Sequence, residues 1–190
     1  MPASTIRVMV ALITFFVGTA IVGTTPAHLT NDDRVTDAAS YAIYATLLEP
    51  LWSQRSTDPM VLQQETEPAA ECELRTTHWD DEWKAIERAY RQANTGVRLL
   101  QPLLSTAIPY RLIAKGEIVA DDARLARKYP GLWQRRPESM EFAAVSAVGF
   151  NMTKTKALVS FRLRDQGDLR RVELQGGVWV AVGDGCGWIA

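Results

Sequence analysis

The last quarter of the chain, residues 142–190, contains four consecutive runs that alternate apolar and polar positions between turn residues. A period of two is typical of β-strands, because successive side chains point to opposite faces of a sheet. From Ala157 to Leu163 the odd-numbered positions are apolar and are expected to face the core, whereas Ser160 and Arg162 are expected to face water. The pattern predicts an antiparallel β-meander of about four strands.

Turn residues separate the four predicted strands. The first strand, residues 142–150, has small or apolar residues on both faces, which predicts a central position in the sheet. Turns are predicted at residues 151–154 and 165–168. Gly176-Gly177 suits a two-residue hairpin, because both positions tolerate positive φ.

Three upstream segments have helical spacing. Residues 36–49 carry an apolar stripe, and Pro50 is expected to limit that helix. Residues 78–94 present one face of an amphipathic helix, formed by Trp79, Trp83, Ile86, Tyr90 and Ala93. A short helix is predicted at residues 121–129, and weaker strand patterns occur at 60–66 and 110–114. We predict an α+β fold with two or three helices packed on one face of the sheet.

Length and charge favour one domain that does not bind nucleic acid. The chain has 190 residues, of which 47% are hydrophobic and 23% are charged. This is ordinary globular composition, and we predict a single α+β domain over residues 33–190. The net charge of −1 provides no basic footprint for nucleic acid and no polybasic membrane patch.

The N-terminus has the order of a secretory signal peptide. Arg7 precedes an uncharged apolar run at residues 8–17, and small residues follow, with cleavage options near Ala20 and Ala27. We predict a signal peptide over residues 1–27 and an exported protein, either periplasmic or secreted. The alternative is an uncleaved N-terminal anchor. In either case the membrane is contacted only through this segment.

Export changes the interpretation of the two cysteines, Cys72 and Cys186. In an oxidising compartment, two cysteines far apart in sequence favour a disulfide over a metal site or a nucleophile. A bond across so long a loop is expected to stabilise the fold by roughly 4 to 5 kcal/mol in the chain-entropy model. The alternative is two unpaired thiols.

His78, Asp80, Asp81 and Glu82 form the densest cluster of groups suited to metal binding or acid–base chemistry. Acidic residues in a first helical turn also complement the helix dipole, which is the structural alternative. A zinc site would draw on more His or Cys, and the other histidine, His28, lies at the predicted cleavage junction. We therefore assign no catalytic residue, no metal ligand and no cofactor, and we keep these four as weak acid–base candidates.

Several motifs resemble a group of uncharacterised exported bacterial proteins. They are Tyr129-Pro130-Gly131, the strand Ser146-Ala147-Val148-Gly149-Phe150-Asn151, Ala157-Leu158-Val159 and Gly177-Val178-Trp179-Val180. Many members of that group carry a Cys-Gly cluster where this chain reads Arg164-Asp165-Gln166-Gly167-Asp168, so a Cys72–Cys186 bond is not implied by the resemblance. The resemblance implies fold and export, and no activity.

Two functional hypotheses follow. The first is a non-catalytic exported module that binds a ligand or a protein partner, favoured by the shortage of catalytic groups and by six tryptophans available for contacts. The second is a hydrolase-like enzyme centred on His78 and its neighbouring carboxylates. The ligand and the partner are not identified by the sequence.

Overall fold

The computed structural model describes residues 33–55, 59–70, 79–120, 142–163 and 166–189. Within them the chain folds into a mixed seven-stranded sheet with three helices, which confirms the predicted α+β class. The predicted signal peptide at residues 1–27 and the predicted helix at 121–129 lie outside the described residues.

Helix α1, Ala38–Arg55, begins close to the predicted start and continues beyond the predicted end. Asp37 precedes its first turn and accepts a hydrogen bond from the Ser40 N–H at 3.3 Å, as an N-terminal cap does. Pro50 lies inside the helix and does not end it, contrary to expectation. Its missing N–H leaves the Thr46 carbonyl without the usual helical donor.

Helix α2, Asp81–Ala93, matches the predicted amphipathic helix, and helix α3, Lys115–Ala120, is short. Asp80 caps α2 by accepting a 2.8 Å hydrogen bond from the Trp83 N–H. The buried side chains of α2 are Trp83, Ile86 and Tyr90, as the apolar periodicity predicts. None of the described helices is long and apolar enough to cross a membrane.

Seven strands form the sheet. They are β1 (Met60–Gln63), β2 (Tyr110–Ile113), β3 (Ala143–Val145), β4 (Gly149–Phe150), β5 (Lys156–Leu163), β6 (Gln166–Gln175) and β7 (Val178–Ile189). The strand order is β2-β1-β3-β5-β6-β7, and β4 pairs with β5 beside β3. The pairs β1–β2 and β1–β3 are parallel, whereas β5, β6 and β7 are antiparallel neighbours.

The predicted first strand is interrupted between β3 and β4. Residues 146–148 leave regular pairing, although the Ser146 N–H still donates to the Ser160 carbonyl at 2.9 Å. Asn94, at the end of α2, bonds both backbone groups of Ala147, accepting from its N–H at 2.8 Å and donating to its carbonyl at 2.9 Å. The buried amide of Asn94 therefore takes the place of a neighbouring strand.

The two long helices pack on opposite faces of the sheet, so the prediction of helices on one face is wrong. The odd-numbered residues of β5 from Ala157 to Leu163 belong to the core cluster that contains α1. Leu158, with the opposite orientation, packs with the buried face of α2 and with Leu169. The sheet therefore lies between two helical layers.

Ser160 explains the error. It was expected to face water, but it is only 3% exposed because α2 covers it. The Tyr90 hydroxyl donates to the Ser160 hydroxyl at 2.9 Å and accepts from the Ala70 N–H at 2.9 Å. A polar strand position was buried because α2 supplies a hydrogen-bond partner.

Candidate functional site

A groove of about 340 Å³ opens between the second half of α1 and strands β5 to β7. Its lining residues come from both layers: Thr46, Leu47, Pro50 and Leu51 from the helix, and Phe161, Leu163, Gln166, Gly167, Asp168, Arg170 and Ala181 from the sheet. Cavities of this size that combine an apolar wall with a few polar groups are typical ligand sites.

The apolar wall of the groove follows directly from the strand pattern. Phe161 and Leu163 point to the α1 side of β5, and both are buried. Leu47 is buried in the same core cluster, whereas Leu51 is only partly buried and packs against it. The helix and the sheet therefore both contribute apolar side chains to the groove.

Asp168 and Arg170 are the two charged residues that line the groove. One Arg170 Nη lies 2.5 Å from Asp168 Oδ2. The other carboxylate oxygen, Asp168 Oδ1, is buried and has no hydrogen-bond partner in the described part of the chain. A buried acceptor without a partner raises the free energy of the fold.

A bulge in β7 brings the backbone against this ion pair. The β6–β7 register shifts between Leu169 and Arg171, and Gly183 takes φ +65° there. A Cβ on Gly185 would lie 2.6 Å from both Asp168 Oδ1 and Arg170 Nε, so a larger residue here would displace these two side chains. Gly185 therefore lies against the Asp168–Arg170 ion pair, whereas Gly183 lies against Arg171.

Arg171, the neighbour of Arg170, points to the opposite face. Its guanidinium carbon lies 5.5 Å from the ring centre of Trp79 and 5.3 Å from that of Trp83. These are cation–π distances, so Arg171 belongs to the packing of α2 against the sheet. The consecutive arginines therefore have different roles.

The acidic candidates from the sequence do not converge with the groove. Asp80 is the cap of α2, and Asp81 lies 3.5 Å from Lys84 in an exposed ion pair. Glu82 accepts from the Lys156 ammonium at 2.7 Å and from the Asn151 amide at 2.9 Å. These bonds to Lys156 and Asn151 lower the pKa of Glu82, which keeps it ionised rather than poised for proton transfer.

His78 and Cys72 lie outside the described residues, so the structure does not place them. Among the described residues, no group of three or more His, Cys, Asp or Glu is arranged to hold a metal ion. Cys186 lies on β7, paired in register with Leu169, and no described cysteine is free.

Asp168 and Arg170 were missed because residues 165–168 look like a turn. In the structure β6 begins at Gln166 instead. The signal was present, since Asp168 and Arg170 alternate with Gly167 and Leu169 at strand spacing. Comparisons with family models, curated proteins and solved structures found no match for this chain.

Proposed function

We propose that this protein is an exported, non-catalytic module that binds an amphipathic molecule in the groove between α1 and strands β5 to β7. The observation that carries the proposal is the buried, unpartnered Oδ1 of Asp168, a residue that lines a largely apolar groove. An apolar body fills such a groove, and an N–H or O–H donor at one end satisfies the oxygen.

The composition of the groove supports binding over catalysis. Its lining residues contain one carboxylate and one guanidinium, and neither histidine nor cysteine is among them. Acyl-transfer chemistry draws on a nucleophile with an adjacent base, and the groove pairs its carboxylate with Arg170 instead. The hydrolase-like alternative rests on His78 and gains no support from the groove.

We also propose, from the sequence, that the protein is exported and related to the uncharacterised exported bacterial proteins that it resembles. The order of charge, apolar run and small residues over 1–27 supports a secretory signal. The proposed ligand is therefore one that the protein meets outside the cytoplasm.

A Cys72–Cys186 disulfide is part of the same proposal. Cys186 shares its register position with Leu169, which lies in the cluster under α2. Ala70 and Trp79, the described residues on either side of 71–78, pack against that cluster too. The described residues on both sides of Cys72 therefore pack against the cluster that contains Leu169, the register partner of Cys186.

Ligand-observed and protein-observed NMR with a matched probe set tests the groove. Phenethylamine and 2-phenylethanol carry donors, and ethylbenzene carries none. We expect the two donor-bearing probes to shift the amide signals of Ala181 and Asp168 and to bind more tightly than ethylbenzene. Asp168→Asn should reduce that preference, because it removes the charged acceptor.

Two tryptophan substitutions on one strand provide the control. Ala181→Trp fills the groove and should weaken probe binding by about tenfold or more, equivalent to about 1.4 kcal/mol. Val180→Trp places the same ring on the opposite face of β7, where Val180 is 39% exposed, and should leave binding unchanged. Equal binding by both variants would contradict the groove as the site.

A further inference from the structure

A second, smaller cavity of about 190 Å³ lies at the start of α1, away from the groove. Its lining residues are mostly polar and come from four separate stretches of the chain: Arg34, Val35, Thr36, Asp37, Ser40, Arg98, Ala147, Val148, Phe150 and Lys154. No residue is shared with the groove, so this pocket requires its own explanation.

The charges of the pocket do not balance. Arg34, Arg98 and Lys154 contribute three cations, and Asp37 is the one carboxylate among the lining residues. Lys154 already pairs with Asp37 at 2.8 Å. Burial alone would raise the pKa of Asp37, but its bonds with Lys154 and Ser40 outweigh that effect and lower it, so the carboxylate stays charged. Two positive charges are left without a carboxylate in the pocket.

Backbone pairing brings the two arginines together. Residue 34 forms a parallel bridge with Leu99, and the Val35 N–H donates to the Leu99 carbonyl at 2.9 Å. The Arg98 N–H donates to the Thr66 hydroxyl at 2.9 Å, which joins this stretch to the segment that follows β1. Both arginines also line this pocket, so an anion bound in it would be attracted by two positive charges.

Lys154 is held in place by an ordered turn. It has φ +51°, which is rare for a residue with a side chain. The Asn151 side chain orders this turn by accepting from the N–H groups of Thr155 at 2.9 Å and Lys156 at 3.1 Å. The Lys154 ammonium also lies 5.4 Å from the ring centre of Phe150. Backbone strain of this kind is often associated with function.

We propose that this pocket binds a phosphate dianion, either free inorganic phosphate or the terminal phosphate of a monoester. Two uncompensated charges match a dianion better than a single carboxylate, and arginine binds tetrahedral oxyanions with paired N–H donors. The N-terminus of the 18-residue helix α1 adds partial positive charge at the same place. Thr36 lines the pocket as a further hydroxyl donor.

Isothermal titration calorimetry with sodium phosphate, sodium sulfate and glycerol 3-phosphate tests the proposal, with ionic strength held constant by sodium chloride. We expect saturable binding of phosphate in the millimolar range or tighter. Stronger binding of the monoester identifies the esterified form as the better ligand, and equal or weaker binding identifies the free ion. No saturable heat with any of these three anions overturns the proposal.

Charge-removing variants locate the site. Arg98→Met and Arg34→Met should each weaken phosphate binding by about tenfold, the effect of losing one charge-assisted contact. Arg88→Met removes an exposed arginine of α2 and should bind as the wild type does. Arg34 is exposed, so its variant tests the pocket even if Arg98→Met fails to fold.

For the Asp37→Asn variant, the expected change in phosphate affinity has the opposite sign. It removes the one negative charge of the pocket and releases Lys154, so phosphate should bind more tightly. A general loss of stability would weaken binding instead. Unchanged affinity in both arginine variants, or weaker binding by Asp37→Asn, overturns the pocket as the phosphate site.

Discussion

Asn94 is a single side chain that joins two layers of the molecule. It is buried, and it bonds the Tyr90 carbonyl at 2.8 Å as well as both backbone groups of Ala147. Asn94→Ala should lower the free energy of unfolding by about 2 to 4 kcal/mol, because it leaves buried backbone groups without partners. Urea denaturation measures the loss.

The control for this prediction lies on the same helix. Gln92 is exposed, and Gln92→Ala should change the stability by less than about 0.5 kcal/mol. Comparable losses in the two variants would contradict the assignment of the loss to the hydrogen bonds between Asn94 and Ala147.

Gly149 tests the contact between β4 and α2. A Cβ at this position would lie 2.3 Å from the Tyr90 backbone, which cannot move without shifting the helix. Gly149→Ala should therefore destabilise the protein by about 2 kcal/mol or more. Gly116→Ala, in α3 with no atom near its added methyl group, should be neutral or stabilising by up to about 1 kcal/mol. Thermal unfolding of the two variants distinguishes a steric clash from a general intolerance of alanine.

At the scale of single residues, the sequence predicts local chemistry better than shared sites. The acidic run before α2 already indicated a helix start, and Asp80 is its cap. Asp168 falls in the turn predicted at residues 165–168, because Gln166-Gly167-Asp168 is typical of a turn, whereas in the structure it belongs to β6. Asp168 Oδ1 lies beside the bulge in β7. The sequence pattern of β6 does not predict that bulge.

At the scale of elements, the start of α1 depends on Asp37 in two ways. Its carboxylate caps the helix at the Ser40 N–H and pairs with Lys154. Asp37→Ala loses both contributions and should cost about 1 to 2 kcal/mol. Asp37→Asn keeps a good capping side chain and loses the charge, so its cost should be below about 1 kcal/mol, as expected for a partly exposed pair.

The pH dependence separates the charge from the cap. The pKa of Asp37 is lowered in the folded protein, because the bonds with Lys154 and Ser40 outweigh burial. Its charge therefore stabilises the fold above the unfolded pKa of about 3.9, and that contribution disappears as pH falls through the folded pKa. Unfolding measured from pH 7 to pH 3 should show the wild type losing its advantage over Asp37→Asn at the acid end. A gap that does not narrow as the pH falls from 5 to 3 would contradict this account.

The faces of β5 show where pattern alone misleads. Its odd positions are buried as predicted, yet Leu158 and Ser160 are buried too. Ser160 donates and accepts within the protein: its N–H donates to the Ser146 hydroxyl at 2.9 Å, and its own hydroxyl accepts from Tyr90. A polar residue at every second position predicts a water-facing strand only when no second layer supplies its partners.

At the scale of the whole molecule, the parallel pairing of strands in the sheet could not be predicted from the sequence. Strands β1 and β2 pair in parallel from Met60–Tyr110 to Gln63–Ile113, although they are separated by α2 and its following loop. Each strand has only four residues, and β2 is largely exposed or half-buried. The sequence pattern of such short strands indicates a strand but does not identify the strand that pairs with it. Pairing depends on contacts between residues that are far apart in the sequence.

The last prediction concerns the connection between the edge strand and the helical layer. β7 is an edge strand of 12 residues, and its second half, beyond the bulge, pairs with β6 only from Leu169–Cys186 onward. If Cys186 is bonded to Cys72, that segment is tied to the chain before α2 across a loop of more than a hundred residues. The double variant Cys72→Ser, Cys186→Ser should then lose about 4 to 5 kcal/mol of unfolding free energy in the chain-entropy model. Urea denaturation with and without reductant measures it: reductant should destabilise the wild type by a similar amount and leave the double variant unchanged. Alkylation of both cysteines in the native exported protein without reductant would contradict the bond. The contact of β7 with the helical layer would then consist of the packing of Val182 and Trp188 against the α2 cluster.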